Sequence, residues 1–436
     1  MIRILATLMA FTLGLLPASA ATHIQEVVSK GGITAWLVQE ESIPMVSLQF
    51  SFRGGASQDA PEKLGATNLM TGLLEEGAGN LDATAFAQRS DELGARFSFN
   101  AGRDSVSISA SMLTSNLEES VALLRLALIE PAFNETAFER VRGQVNSGLR
   151  SDKTDPQSIA GTEFRALVFP DHPYGRPVDG TLETVAALTP DDMRAAHRQA
   201  FGQNNVRIGV VGDITPEALG ELLDNLLGAL PDDIEDRVPD VEPALSAGIT
   251  LIDFETPQSV ILFAQPGLKR DDPDYLTAFV LNHIMGGRSS TARLNVELRE
   301  KRGLTYGISS YLLPYQHSAL YMGSLSSGNE TAAEAVALVR EEWAKMAQNG
   351  VSAEELAIAQ RYLTGAYALR FDGNAKIAGI LAGLQMAELP ITYVRDRNDL
   401  VNAVTLEEIN RVAAALYQPE NLRFVVVGQP GGLEAE

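Results

Sequence analysis

The hydrophobic positions of the chain switch between a strand period and a helix period. Residues 46–52 place apolar side chains at every second position, which predicts a half-buried strand. Residues 64–76 repeat them at helical spacing and stop before Gly77, which predicts a helix. Asp82 can cap a second helix that ends near Gly94. Later signals are an alternating hairpin at Phe97, Phe99, Val106 and Ile108, helices at 117–128 and 135–150, a strand at 206–211, and a helix from the capping box Ser352 and Glu355 to about residue 370.

Three sequence blocks recur in the same order at nearly one offset. They pair residues 189–212 with 405–428 at an offset of 216, residues 119–125 with 334–340 at 215, and residues 44–50 with 257–263 at 213. A repeat of this length predicts a duplicated domain of roughly 200 residues.

The segment between the two copies marks the domain boundary. Residues 231–243 are acidic and contain several prolines, which is typical of a linker. We therefore expect an N-terminal domain at 21–230, a linker at 231–247 and a C-terminal domain at 248–436. Strands that meet in hairpins, with helices between them, favour an α+β fold of two duplicated α/β sandwiches with antiparallel-rich sheets over a doubly wound sheet.

Composition and charge exclude several classes of protein. The chain has 436 residues, 45% of them hydrophobic, which is enough for folded cores and excludes a disordered or fibrous protein. It carries 34 Lys and Arg against 56 Asp and Glu, a net charge of -22, which argues against nucleic-acid binding because phosphate contacts need clustered cations. With no cysteine, the cores must be stable without disulfides.

The first twenty residues resemble an export signal. Arg3 precedes an apolar run at residues 4–16, and Ala18-Ser19-Ala20 has the small-x-small pattern of a signal-peptidase site. We expect cleavage after Ala20 and a protein that is periplasmic or secreted. The alternative is a membrane anchor, but the run is short for a span, and the later apolar run at 377–384 has only eight residues. We therefore expect no stable membrane insertion.

Two motifs and the duplicated domains resemble the pitrilysin, insulinase and mitochondrial-processing-peptidase family. One motif is Phe-Pro-Asp-His-Pro-Tyr-Gly-Arg-Pro, from Phe169 to Pro177. The other is Arg-Glu-Lys-Arg-Gly-Leu-Thr-Tyr, from Arg299 to Tyr306. The resemblance covers nearly the whole chain after residue 20. It implies a clamshell half like the mitochondrial processing peptidase subunits, with a zinc site formed by H-x-x-E-H on a helix and by a Glu about 76 residues later.

The sequence departs from that zinc motif at every position. Alignment on the predicted helix places Asn68 and Gly72 where the two His belong, Thr71 where the general-base Glu belongs, and Gly148 where the third ligand belongs. Asn is a poor zinc ligand, Thr cannot take a proton from water near neutral pH, and Gly has no side chain. We expect neither a metal ion nor a catalytic group in this chain.

The histidines do not replace the missing ligands. No His lies between His23 and His172, so shifting the alignment by one or two residues does not restore the motif. We expect His172 to fix a turn rather than to catalyse. The sequence also lacks a Gly-x-Ser-x-Gly elbow, a P-loop and a dinucleotide fingerprint. All five histidines are isolated, with no pair at i, i+3 or i+4: His23, His172, His197, His283 and His317.

A further predicted helix precedes the second motif. Ser289 or Ser290 can cap it, and it buries Leu294 and Leu298 and ends near Gly303, where the chain passes directly into a strand.

Arg299 and Tyr306 lie seven residues apart across this helix-to-strand junction. The predicted helix carries Arg299 in its last turn, and the strand at 305–311 carries Tyr306. The family resemblance implies that this pair faces the zinc across a chamber, holds the substrate backbone and stabilises the oxyanion. The alternative is structural: Arg299 would cap the helix C-terminus, and Tyr306 would pack in the sheet.

The resemblance therefore implies a non-catalytic subunit of an exported heterodimeric zinc metallopeptidase that acts on peptides or unfolded segments. A homologous partner with the H-x-x-E-H motif would hold the zinc. The alternative is a metal-free scaffold or peptide-binding protein of the same fold. An active peptidase with another kind of site is disfavoured because groups that activate a nucleophile are absent.

The signal-peptide interpretation predicts a mature chain that begins at Ala21. Intact-mass analysis of the protein purified from its native envelope should give the mass of residues 21–436. A native protein that retains Met1 would contradict the interpretation.

Overall fold

The computed structural model describes residues 23–287 and 289–436. Within residues 23–230, the first half of the chain forms a six-stranded sheet, a two-stranded ribbon and eight α-helices. Its strands are β1 Gln25–Val28, β2 Thr34–Gln39, β3 Met45–Arg53, β4 Gly77–Ala78, β5 Leu81–Asp82, β6 Arg96–Ala101, β7 Ser105–Leu113 and β8 Val206–Gly212. Its helices are α1 Ala66–Thr71, α2 Ala83–Leu93, α3 Leu117–Ile129, α4 Glu135–Asp152, α5 Pro156–Val168, α6 Leu182–Ala187, α7 Pro190–Ala200 and α8 Pro216–Leu227.

Within residues 248–287 and 289–436, the second half forms a five-stranded sheet with six α-helices and one π-helical segment, Asn295–Glu300. Its strands are β9 Gly248–Asp253, β10 Gln258–Pro266, β11 Thr305–Pro314, β12 Ala319–Gly328 and β13 Arg423–Gly428. Its helices are α9 Tyr275–Met285, α10 Ala332–Asn349, α11 Ala353–Gly365, α12 Asn374–Met386, α13 Tyr393–Ala403 and α14 Leu406–Leu416.

The two sheets share one topology, which confirms the duplicated α+β fold. The first has strand order β1-β2-β8-β3-β7-β6 and the second β11-β12-β10-β13-β9, so the second repeats the first in reverse order without β1. Each has a single parallel pair, β2 with β8 and β9 with β13. The correspondence extends to the backbone: Gly212 and Gly428 end equivalent strands with φ of 149° and 150°, which strains any residue with a Cβ.

Several predicted helices differ in length from the observed ones. The helix predicted at 64–76 is only α1, because beyond Thr71 the backbone bonds tighten to the 3₁₀ pattern, as from Leu73 N to Met70 O and from Leu74 N to Thr71 O. The helix predicted to about residue 370 is α11, which the Ser352 and Glu355 capping box does open but which ends at Gly365. A separate 3₁₀ turn, Ala368–Arg370, follows it.

Each half has its own core on one face of its sheet. In the first half, β3 and β7 contribute Phe50 and Ile108 to a cluster that helices α1 to α4 and α6 to α8 complete. In the second half, Phe263 and Tyr321 pack against Trp343 of α10 in the equivalent cluster.

The other face of each sheet is covered by a helix from the opposite half. Helix α5 of the first half packs Ala160, Phe164 and Val168 against β10, β12 and β13. Helix α12 of the second half lays Ala378 and Leu381 on the first sheet, in contact with Trp36 and Val211. The apolar run at 377–384 is therefore part of an exchanged helix.

Strand β10 shows why this exchange is required. Its alternating side chains separate into two sets, with Ile261 and Phe263 in the core of its own half and Val260, Leu262 and Ala264 under α5. Both sets are buried, so the sequence of the strand is a continuous apolar run and does not alternate between apolar and polar residues.

The segment between the two sheets is fastened to both halves. It contains no helix or strand from residue 231 to 246. His317 of the β11–β12 turn lies between two of its carboxylates, with Nδ1 3.1 Å from Asp240 and Nε2 3.2 Å from Asp236. Gln58 of the first half donates to Asp236 at 2.6 Å. The linker therefore has a defined conformation and makes contacts with both halves.

Within the described residues, no helix combines the length and apolar character needed to cross a bilayer. The predicted signal peptide, residues 1–20, lies outside the described part of the chain.

The exchanged packing predicts a strong effect of Gly209→Ala. A Cβ at Gly209 would lie 2.1 Å from the carbonyl oxygen of Ala378 in α12, so the helix must move off the sheet. We expect a loss of about 1–3 kcal/mol of unfolding free energy. The measurement is urea unfolding followed by circular dichroism.

Gly143→Ala is the matched control. Gly143 lies in α4 with open space around its Cβ position, so alanine there should raise stability by about 0.5–1 kcal/mol. Equal stability changes in the two variants would contradict the exchanged-helix packing.

Candidate functional site

A cavity of about 380 Å³ lies at the junction of the second sheet and helix α5. Among the lining residues that the structure describes, Arg299 carries the charge, and serine is the most frequent residue type. No carboxylate is among the lining residues that the structure describes, although the chain as a whole has a net charge of -22. We call it the Arg299 cavity. It is lined by Gln157, Ser289, Ser290, Asn295, Arg299, Gly307, Ile308, Ser309, Ser324, Leu325 and Ser326.

Arg299 is carried by the π-helical segment, whose wider turn closes with a bond from Lys301 N to Val296 O. Buried Asn295 fixes this segment to β11, because its amide donates to the carbonyl oxygens of Ser289 and Ile308 at 3.2 and 3.0 Å. π-helical turns are rare and often occur at functional sites. This role of Asn295 could not be predicted from the hydrophobic pattern, since one polar residue does not disturb a helical period.

The first residues of β11 are displaced from regular pairing and direct Tyr306 outward. The register with β12 shifts between Thr305 and Ile308, and the Thr305 hydroxyl bridges the backbone by donating to Gly307 O at 2.8 Å and accepting from Gly307 N at 3.1 Å. Tyr306, between them, is 88% exposed. The alternative in which Tyr306 packs in the sheet is therefore excluded.

Arg299 lies in the last turn of the π-helical segment, but the side-chain hydrogen bond to the backbone there is made by Arg302. At the end of the π-helical segment, the guanidinium of Arg302 donates to the carbonyl oxygen of Glu297 at 3.0 Å. Arg302 therefore provides the interaction with the helix end, and Arg299 is left exposed at the cavity wall.

The serines ahead of this segment are not its N-cap. Ser289 Oγ accepts from Thr291 N at 3.2 Å, which organises the preceding turn, whereas helical structure begins at Arg293. The predicted cap at Ser289 or Ser290 is wrong because a turn separates both residues from the helix. The predicted burial of Leu294 and Leu298 is confirmed.

A bidentate ion pair anchors the start of the segment to α11. Arg293 Nε and Nη2 lie 2.7 and 2.9 Å from the two carboxylate oxygens of Glu355, and Nη2 also donates to Gly350 O. Partial burial raises the pKa of Glu355, but the donors of Arg293 and Ser352 outweigh it and bring the pKa to about 2. The sequence predicted the capping role of Glu355 but not its contact with Arg293.

The four positions that align with the zinc motif lie on α1, at its end, and on α4. The Thr71 hydroxyl donates to the Asn68 carbonyl oxygen at 2.8 Å. A Cβ at Gly72 would lie 3.1 Å from Val141 of α4, so a side chain there would press on that helix. Gly148 faces open space on α4. These residues do not fit a zinc ion, since they offer an amide and a hydroxyl but neither imidazole nor carboxylate.

His172, His197 and His283 each make contacts that serve the fold. His172 accepts from Tyr174 N at 3.1 Å and contacts Pro239 O of the linker at 2.9 Å, so it fixes a turn as predicted. His197 contacts Leu128 O at 2.7 Å, and His283 stacks on Tyr362. Across residues 23–287 and 289–436, no group of three His, Cys, Asp or Glu side chains is placed to hold a metal ion.

Two family descriptions match most of the chain. Residues 35–182 match Insulinase (Peptidase family M16), and residues 187–363 match Peptidase M16 inactive domain.

Individual proteins show the same relationship. The chain is 24% identical over 415 residues to the non-peptidase homolog YmxG of Helicobacter pylori, covering 94% of this chain and 95% of the relative. It is 24% identical over 372 residues to an uncharacterized zinc protease of Streptomyces coelicolor, covering 82% and 80%. A solved peptidase M16 inactive domain from Pseudomonas fluorescens superposes with a TM-score of 0.88 at 29% identity, covering 94% of this chain and 99% of that one.

The ion pair behind the Arg299 segment predicts a defined acid sensitivity. The carboxyl group of Glu355 has an ordinary pKa of 4.5, and folding lowers it to about 2. Its stabilisation is therefore complete above pH 4.5 and is lost as the pH falls towards 2. Glu355→Gln should cost about 1–2 kcal/mol at pH 7, allowing for solvent screening at a side chain that is 32% exposed, and nothing near pH 2.

Urea unfolding of both proteins between pH 2 and 7 measures this difference. Glu354→Gln, at the exposed neighbouring position, is the matched control and should change stability little at any pH. A Glu355→Gln penalty that did not shrink with acidification would exclude the ion pair as its source.

Proposed function

The chain belongs to peptidase family M16, the insulinase family, and we propose that it is the non-catalytic subunit of an exported heterodimeric zinc metallopeptidase that acts on peptides or unfolded segments. A homologous partner subunit with the H-x-x-E-H motif would bind the zinc. This subunit would supply Arg299 and Tyr306 to the partner's site.

The residues at the metal positions support the non-catalytic part of the proposal. Asn68, Thr71, Gly72 and Gly148 can neither hold a metal ion nor accept a proton from water. Hydrolysis of a peptide bond therefore needs groups from outside this chain.

The exposure of Tyr306 is the observation that supports the substrate role most directly. A tyrosine with 88% of its surface exposed, at the displaced start of an edge strand, contributes little to packing. The Thr305 bridge and the Asn295 amide bonds nevertheless hold the strand around it in one geometry. Such an arrangement suits a side chain whose contacts form only when a substrate and a partner are present.

The two side chains would act in different ways. The Arg299 guanidinium would donate to carbonyl oxygens of an extended substrate, which fixes its position relative to the partner's site. The Tyr306 hydroxyl would donate to the carbonyl oxygen that becomes negatively charged when water attacks, an interaction that strengthens in the transition state.

A metal-free scaffold of the same fold remains the competing function. It would require neither the hydroxyl of Tyr306 nor the charge of Arg299. The two functions therefore differ in the effect of a change that removes one oxygen atom.

In the complex reconstituted with the partner subunit, Tyr306→Phe should reduce kcat about 100- to 1,000-fold, because one oxyanion donor is lost. Arg299→Ala should raise KM at least as clearly as it lowers kcat, because it weakens substrate binding. Steady-state cleavage of a fluorogenic peptide measures both constants.

Tyr362→Phe is the matched control, since Tyr362 is another exposed tyrosine, at 55%, on α11. It should leave kcat unchanged. Thermal unfolding and complex formation verify that each variant assembles. Wild-type kcat for an assembled Tyr306→Phe complex would reject the substrate role and favour the scaffold.

A further inference from the structure

A second, larger cavity adjoins the Arg299 cavity. It has a volume of about 670 Å³ and is formed by α5, the end of α4, the loop at 177–182 and Arg103 of the β6–β7 turn. Gln157, near the start of α5, lines both cavities. We call the second one the arginine cavity, after Arg103 and Arg165 in its wall.

The charges of the arginine cavity are arranged by depth. Arg103 and Arg165 are half-buried, whereas Lys153 and the three acidic residues of the wall, Asp152, Glu163 and Asp179, are exposed. The two arginines are therefore less exposed than these residues, although burial also raises the pKa of the Asp179 carboxyl.

Both guanidinium groups lack an anionic partner in the described part of the chain. Neither has a carboxylate oxygen of residues 23–287 or 289–436 within 4.0 Å, although Asp179 attracts both from a greater distance. The buried Nε of Arg165 has no hydrogen-bond partner there. Burial, and then the neighbouring charge of Arg103, lower the pKa of the Arg165 guanidinium. An anion placed between the two arginines would relieve this repulsion.

The positions of both side chains are set by the fold. Arg103 Nη1 donates to the carbonyl oxygens of Tyr174 and Arg176 at 2.8 and 3.1 Å, which leaves its other N–H groups available. Arg165 passes over Gly161 one turn earlier on α5, where a Cβ would lie 3.2 Å from Nη1. Because Gly161 has no side chain, the Arg165 guanidinium can occupy this part of the cavity wall.

We propose that the arginine cavity binds a carboxylate group of the peptide substrate, from an acidic side chain or from the C-terminus. The inference rests on the proposed function, in that the ligand is a peptide that also passes the Arg299 cavity. A guanidinium matches the two oxygens of a carboxylate with two parallel N–H groups, and two neighbouring arginines give a strong preference for an anion. Because the cavities share Gln157, an extended peptide reaches from one to the other within a few residues, at roughly 3.3 Å per residue.

Fluorescence anisotropy of the full chain with four labelled dodecapeptides of otherwise identical neutral sequence tests the proposal. One peptide has a free C-terminal carboxylate and one a C-terminal amide. The other two peptides both have a C-terminal amide. One contains a single internal Glu, and the other has Gln at that position. We expect the carboxylate from at least one of the two sources to tighten binding about tenfold, and the pair that shows the effect identifies the source.

The variants connect the effect to the cavity. Arg165→Gln should reduce the preference for the carboxylate peptide to less than about threefold. Arg165→Lys should retain only part of the preference, because lysine keeps the charge but lacks the two parallel N–H groups of the guanidinium. Arg198→Gln, at an exposed arginine that does not line the cavity, is the matched control and should retain the full preference. Thermal unfolding shows whether each variant is folded, and Arg165→Lys still gives a result if Arg165→Gln is not.

Equal affinities for all four peptides, or a preference that is undiminished in the folded Arg165 variants, would overturn this inference. In both cases peptide binding itself, and with it the proposed function, would stand. Failure to bind any of the peptides would overturn the inference and would also count against a substrate-binding role for the isolated subunit. The kcat of the Tyr306→Phe complex tests the proposed function separately.

Discussion

The structure depends on the exchange of one helix between two copies of the same domain. Helix α5 covers the outer face of the second sheet, and α12 covers the outer face of the first. Strands β8, β10 and β13, near the centres of the sheets, are therefore buried on both faces, which provides more apolar burial than either half could achieve alone. The exchange also creates the candidate site, because Gln157 of α5 meets the wall formed by β11, β12 and the π-helical segment. A change in how α5 lies on the sheet would alter both cavities together.

The duplication made most of the fold predictable, whereas the exchange left no signal. Matching blocks 216 residues apart indicated two equivalent sheets, and the structure places Gly212 and Gly428 at equivalent strand ends. The exchange depends on contacts between residues far apart in the sequence, such as Gly209 against Ala378, which no local pattern encodes. The apolar run in α12 could be recognised as too short for a membrane, but not as the cover of a particular sheet. Domain boundaries drawn from the linker remain a prediction.

The candidate site was predictable in its charged residues but not in its framework. The motif from Arg299 to Tyr306 was identified by resemblance, and the structure places Arg299 in a cavity wall and Tyr306 in solvent beside it. The features that hold them are a π-helical turn, a displaced strand start and the Asn295 amide, all of which depend on backbone geometry that a hydrophobic pattern does not report. The predicted serine cap was wrong for the same reason: a suitable residue type precedes the helix, but the backbone turns before the helix begins.

The exchanged helices also determine which residues can change during evolution without loss of the fold. Catalytic residues can be lost from α1 and α4 without uncovering either sheet, because none of Asn68, Gly72 and Gly148 belongs to the interdomain clusters. Loss of a whole copy is different, since it would expose the sheet face that the departing helix had covered. After the original duplication, the two halves could diverge freely in chemistry but had to be inherited together as one polypeptide. The fold can therefore outlive its activity, and a chain without metal ligands can persist as an intact member of a peptidase family.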